Sequence, residues 1–159
     1  MKITRFAPLA LIATMPLAAC GEEPAPAEEA GAELTGLEVS NARLVLPAVA
    51  GNPAAAYFDL AYSGDDTAIL MGASVAGAES AVFHNSFTND VGSFMEEMGP
   101  VTLENGKTYE YKQGENHLMV MGLPDTVEEG DTVDISFDIS PSGQSFTFPA
   151  QVVAPGSES

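Results

Sequence analysis

From residue 34 to residue 154 the chain is cut into short pieces, and that rhythm constrains the fold more than any other feature. Runs of alternating apolar and polar residues recur, each closed by residues that favour turns. Leu37–Val39 and Arg43–Leu46 read as one strand with an irregularity at Ser40-Asn41. Ala56–Tyr62 reads as a second, ended by Ser63-Gly64-Asp65-Asp66. Further strands are predicted at Ile69–Met71, Ala81–His84, Phe94-Met95, Thr108–Tyr111, His117–Met121, Val133–Phe137 and Phe146–Phe148. Asn105-Gly106, Glu129-Gly130-Asp131 and Ser142-Gly143 mark turns between them. Glycine and proline punctuate nearly every stretch that could have carried a long helix. Many short strands at this spacing predict an all-β sandwich or barrel. No internal repeat or coiled-coil pattern competes with that reading.

The two ends of the chain read differently. Lys2 and Arg5 precede an apolar run from Phe6 to Ala19, too short to span a bilayer comfortably and suited to a signal-peptide core over residues 1–19. The run ends Leu17-Ala18-Ala19-Cys20-Gly21, which resembles a bacterial lipobox, with the chain's one cysteine at the position that is lipidated. Gly21, and not the aspartate of inner-membrane retention, follows, so outer-membrane attachment is the default expectation on the periplasmic side of the envelope. Residues 20–33 comprise that cysteine and the stretch GEEPAPAEEAGAE, which has no large apolar side chain and is predicted to be a solvated tether. Thirteen such residues reach about 40 Å when extended. The domain is predicted over 34–154, and 155–159 form a short tail.

Charge excludes several partners. The chain has 5 Lys+Arg and 23 Asp+Glu, a formal charge of −18. Without residues 1–19, the three remaining basic residues, Arg43, Lys107 and Lys112, against 23 acidic ones leave −20. Nucleic acid and anionic lipid surfaces both require a basic footprint, which is missing. With one cysteine there is no internal disulfide framework, thiolate-rich zinc site or iron–sulfur cluster. There is no Gly-x-Ser-x-Gly motif, and the adjacent acids Asp65-Asp66, Glu96-Glu97 and Glu128-Glu129 read as solvated charge, so no enzyme activity is expected.

The two histidines both lie near methionines. Ten residues separate His84 from Met95, twenty-one separate Met95 from His117, and Leu118 alone separates His117 from Met119. In an extended segment His117 and Met119 face the same side, because side chains alternate with period 2. His84 and Met95 are expected to flank a loop that folds back over that pair. Thioether sulfur is soft and neutral, a poor donor to hard ions but a good one to Cu(I), which also accepts imidazole nitrogen. Four such donors suit a roughly tetrahedral Cu(I), and a blue-copper centre, which adds a cysteine thiolate, is not supported. Met98 and Met121 are second-tier sulfurs, Met121 lying about 7 Å beyond Met119 on the same face.

The pattern His84, Met95, His117, Met119 resembles the motif of the periplasmic copper chaperones called PCuAC. So do Ala55-Ala56-Tyr57, Gly72-Ala73-Ser74, Gly106-Lys107-Thr108 and the run His117–Leu123, so that the likeness spans about residues 37–153. The resemblance implies a cupredoxin-like, immunoglobulin-like Greek-key β fold without a blue-copper site. It implies an exposed Cu(I) site at those four residues. It also implies delivery of copper to the copper(A) centre of cytochrome c oxidase, or to a thioredoxin-like copper-insertion protein, by a monomeric carrier. Envelope copper storage with the same ligands is the alternative function. Two departures stand out. Family members often carry a methionine soon after the first histidine, where this chain has Asn85-Ser86-Phe87, and Ala154–Ser159 has neither His nor Met, so no second, tail-borne copper is carried over.

The lipobox gives a first test. Each acyl chain contributes about 0.8 kcal/mol per buried methylene, so several chains hold the protein at a membrane. Cys20→Ala is expected to release the protein from membranes or to block its processing. Unchanged membrane association with an unchanged N-terminal mass would refute lipidation.

Overall fold

The computed structural model describes residues 36–157. The lipobox cysteine Cys20 and the tether lie outside the described residues. Ten strands follow in order: β1 Leu37–Val45, β2 Ala54–Tyr62, β3 Ala68–Val75, β4 Ser80–Asn89, β5 Gly92–Glu97, β6 Val101–Leu103, β7 Lys107–Tyr111, β8 Asn116–Met121, β9 Thr132–Ser140 and β10 Gln144–Val153. No helix occurs among the described residues. The expected strands are all present. β6 was not anticipated: it is three residues long and follows directly on Gly99-Pro100, so its sequence reads as loop.

Between sandwich and barrel, the pairings give a closed, barrel-like sheet. The order β4-β8-β2-β1-β10-β9-β3 returns to β4 through the pair Ala73↔Ala81. β1 and β10 run parallel, Leu44 opposite Val152, and the other pairings are antiparallel. Closure leaves few free edges, which protects a chain built almost wholly of strands. β6 and β7 complete the wall as short staves on β3 and β2. The Tyr109 hydroxyl ties them together, donating to the Thr102 carbonyl and accepting from the Glu104 amide, both at 2.9 Å.

The irregularity expected at Ser40-Asn41 is a bulge. The β1–β2 register shifts between Ser40 and Arg43, and Asn41 takes φ 55°, a left-handed conformation that asparagine tolerates better than most residues. Its side-chain amide donates to Asp59 Oδ2 across the strand at 2.7 Å.

Alternation fills the barrel. In β9, Val133, Ile135, Phe137 and Ile139 point inward while Asp134 and Asp138 face solvent. Phe58 stacks on Tyr111 at 4.5 Å between centroids, and Phe137 meets Phe148 edge-on at 4.8 Å. Phe83 packs on both Tyr111 and Phe137. These five rings join the inner faces of β2, β4, β7, β9 and β10. Rings of this size bury large apolar areas and prefer offset or edge contacts to face-to-face stacking.

Tyr111 lies deep in that cluster. Burial disfavours its phenolate and raises its pKa from 10.0 to about 12, with Tyr109 adding to the rise. The folded state thus holds the neutral form more strongly than the unfolded chain does. Its contribution is complete below pH 10 and is lost as pH rises toward 12, on the order of 3 kcal/mol in all. Chemical unfolding midpoints are expected to fall across that window, and Tyr111→Phe to flatten the fall. An unchanged slope in Tyr111→Phe would show that other groups govern alkaline unfolding.

Candidate metal centre

The site arises from strand register on the outer face of the barrel. β4 and β8 pair antiparallel with His84 directly opposite His117 and Val82 opposite Met119. β5 pairs with β4 so that Met95 lies opposite Ser86, two residues from His84. Opposed residues share a face and alternate residues return to it, so His84, His117, Met119 and Met95 all project from one side of the sheet. Their neighbours Phe83, Leu118 and Val120 point the other way, into the core. The four residues come from three adjacent strands. Met95 stands on β5, in the strand expected around Phe94-Met95. The loop expected between His84 and Met95 to fold back over the site is instead the turn of a hairpin in which β5 is hydrogen-bonded to β4.

The two imidazole rings lie nearly parallel, 23° apart, with centroids separated by 6.0 Å. Each is fixed through Nδ1, His84 to the Val82 carbonyl at 3.2 Å and His117 to the Glu115 carbonyl at 3.0 Å. A carbonyl can only accept, so in each neutral ring Nδ1 carries the proton and Nε2 keeps the lone pair. That is the arrangement a metal-ligating histidine usually has, since the outer hydrogen bond sets ring orientation and tautomer.

Burial grades across the site. His117 is 6% exposed, His84 and Met119 are half-buried, and Met95 is 55% exposed. The small side chain of Ala55 lies opposite Met119 on β2. Tyr57, next along the same face, flanks His117 at 6.3 Å, and the Arg43 guanidinium covers the Tyr57 ring at 5.2 Å. Arg43 and Tyr57 belong to the wall behind His117. Their place there depends on β1–β2 register beyond the Asn41 bulge, which short-range pattern does not reveal.

The second-tier sulfurs separate. Met98 packs against the hydrophobic core, and its amide donates to the Phe83 carbonyl at 2.8 Å. Met121 stays on the outer face opposite Ser80, one alternation beyond Met119. Glu97 lies opposite His84 on the outer face and is exposed. Only the hairpin register brings it there; in the sequence Glu96-Glu97 reads as no more than solvated charge. Among the described residues no group of three or more His, Cys, Asp or Glu side chains is placed to hold a metal. The side chains that register places on this face include two imidazoles and thioethers, donor types matched to a soft ion.

This architecture is that of PCuAC domains. The copper-bound PCuAC domain from PmoF2 matches with a TM-score of 0.62 at 18% identity, covering 76% of this chain and 94% of that one. Apo-DR1885 from Deinococcus radiodurans matches with a TM-score of 0.61 at 23% identity, covering all of both chains. Its CuI form, CuI-DR1885, matches with a TM-score of 0.51 at 26% identity, covering 88% of this chain and 94% of that one. The family model for LpqE-like putative lipoproteins matches residues 37–152. The putative lipoprotein Lxx21020 of Leifsonia xyli subsp. xyli is 30% identical over 118 residues, 74% of this chain and 70% of its own length. The chain belongs to the LpqE-like family of putative lipoproteins.

The two Nδ1 hydrogen bonds set a spectroscopic expectation. In the metal-free protein, long-range nitrogen–proton NMR correlations at a pH where both rings are neutral should show Nδ1–H for His84 and His117. Either ring found chiefly as the Nε2–H form would remove the preset lone pair.

Proposed function

We propose that this protein binds one Cu(I) through His84 Nε2, His117 Nε2 and the sulfurs of Met95 and Met119, and serves as a copper chaperone in the bacterial envelope. The observation that carries the reading is the shared face: two independent strand pairings bring all four donors to one side of the barrel. The chemistry of the donors supports it. All four ligands are neutral and two are soft, which favours Cu(I) over Zn(II), Mg(II) or Ca(II). The likeness to CuI-DR1885, at 26% identity, points the same way.

The graded burial suits transfer. His117, sunk in the wall, acts as the anchor, and exposed Met95 is the ligand an incoming donor reaches first. An acceptor thiolate displaces Met95, then Met119, and copper passes without leaving the coordination of one protein or the other. We infer that the acceptor is the copper(A) centre of cytochrome c oxidase or a thioredoxin-like insertion protein. A lipid at Cys20 would hold the carrier on the periplasmic side, outer membrane before inner. It acts as a binding protein and not as an enzyme.

Anaerobic titration of the mature chain should saturate at one Cu(I), and X-ray absorption should show both sulfur and nitrogen neighbours. A first shell of nitrogen and oxygen alone would overturn the assignment. Met95→Leu should weaken Cu(I) binding by about tenfold or more, equal to about 1.4 kcal/mol. Because Met95 is exposed, the same change should leave folding stability within about 0.5 kcal/mol. Retention of copper against every apo-acceptor, with binding intact, would favour storage over delivery.

A further inference from the structure

The hairpin that carries Met95 runs past the end of the barrel. β8 accompanies β4 only as far as Asn85↔Asn116, whereas β4 and β5 remain paired out to Asn89↔Gly92. Residues 86–95 therefore form a two-stranded arm. Its turn is held by the Asn89 side chain, which accepts from the Val91 amide at 2.9 Å, and by Thr88 and Ser93, whose hydroxyls bond at 2.9 Å.

The arm has two unlike faces. Ser86, Thr88, Ser93 and Met95 share the face of the metal ligands. Phe87 and Phe94 oppose each other on the reverse face, stacked at 5.7 Å and 24°, yet 40% and 43% exposed. Val91 at the tip is 86% exposed. A lone exposed apolar residue is ordinary, but three together on one projecting element mark an interaction surface.

Charge narrows the occupant. Asp90, Glu96 and Glu97 are exposed around the arm, and no Lys or Arg occurs from residue 44 to residue 106. A second copy would bring its own charge of about −20 against this rim. An anionic lipid surface would be repelled likewise. The chain's own residues 21–33 have no large apolar side chain to cover two phenyl rings. What fits is a protein with an apolar patch ringed by Lys and Arg.

We propose that the Phe87/Phe94 face and Val91 tip form the docking surface for the copper-exchange partner, whose basic residues engage Asp90, Glu96 and Glu97. This deepens the chaperone reading and rests on it. Phe94 and Met95 are adjacent residues, so the grip lies about one Cα step, 3.8 Å along the chain, from the sulfur that is exchanged. The apolar pair sets affinity, and the acidic rim sets encounter rate and orientation.

The test compares two acceptors of Cu(I) from the loaded full-length chain in detergent. One is a small anionic chelator, bathocuproine disulfonate, which needs no docking. The other is the apo copper(A) domain of the same organism's oxidase. Phe87→Ser/Phe94→Ser should leave Cu(I) affinity and transfer to the chelator unchanged, and slow transfer to the protein roughly tenfold or more. Asp90→Lys, at the exposed tip where no core contact is at stake, should also slow the protein reaction and reduce its dependence on salt. Equal rates for wild type and both variants with the protein acceptor would overturn the docking surface while leaving the chaperone function standing. Failure of wild type itself to deliver, either to this domain or to the thioredoxin-like insertion protein, would overturn both. A wild-type dimer by sedimentation that dissociates on Phe87→Ser/Phe94→Ser would assign the face to self-association and overturn the proposal.

Discussion

Pairing of β4 with β8 in a single register decides where His84, His117 and Met119 go. His84 opposite His117 places Phe83 and Leu118 inside the barrel and the imidazoles outside. A slip of one residue in either strand would exchange these sets, burying a histidine in the aromatic core and exposing a fully buried leucine. The rings of Tyr111 and Phe137 that receive Phe83, themselves packed on Phe58, therefore enforce the register that builds the outer site. Core packing and donor placement are the same constraint seen from the two sides of one sheet.

A barrel wall suits such a site better than loops would. Two backbone carbonyls, from Val82 within β4 and from Glu115 in the bend just before β8, set the histidine tautomers. Each acceptor lies two residues before its histidine, so the orienting group is supplied by the same segment as the ligand. Met95 has no such restraint and stands mostly in solvent on the outermost strand. Rigidity thus falls from His117 outward, and the sulfur on the rim is the donor with least of the fold invested in it.

Much of the fold was legible because strand alternation and turn chemistry are local signals. The β9 run Thr132–Ser140 alternates without error, and even the bulge at Asn41 showed in the break between Val39 and Arg43. β6 escaped because three residues after a Gly-Pro pair carry no period. Sandwich against barrel turned on one pair between consecutive strands, Ala73↔Ala81, of two small residues that advertise nothing. At the site, His117 and Met119 were legible as a same-face pair from period 2 alone. Between His84 and Met95 the polar run suggested a loop over the site, whereas Asp90-Val91 form the tight turn of a continuous hairpin. The contributions of Ala55, Tyr57, Arg43 and Glu97 depend on cross-strand register, which a single sequence does not encode at short range.

Charge and donor type divide the work of recognising a cation. A field from a chain at −18 draws every cation toward the surface, monovalent and divalent alike, and so cannot select. Lys107 and Lys112 do little to offset it, since each is held by a neighbouring carboxylate, Glu104 and Glu110, at 2.6 Å. Those contacts raise both lysine pKa values and keep the ammonium groups charged but locally neutralised. Selection then falls to the proposed ligands, which are uncharged. Hard divalent ions attracted to the surface find carboxylates there but no convergent group of them among the described residues. A soft monovalent ion loses little by exchanging water for thioether and imidazole. In the proposed site, the acidic surface would raise the local supply of cations and the neutral sulfur-rich face of β4, β5 and β8 would decide which one stays.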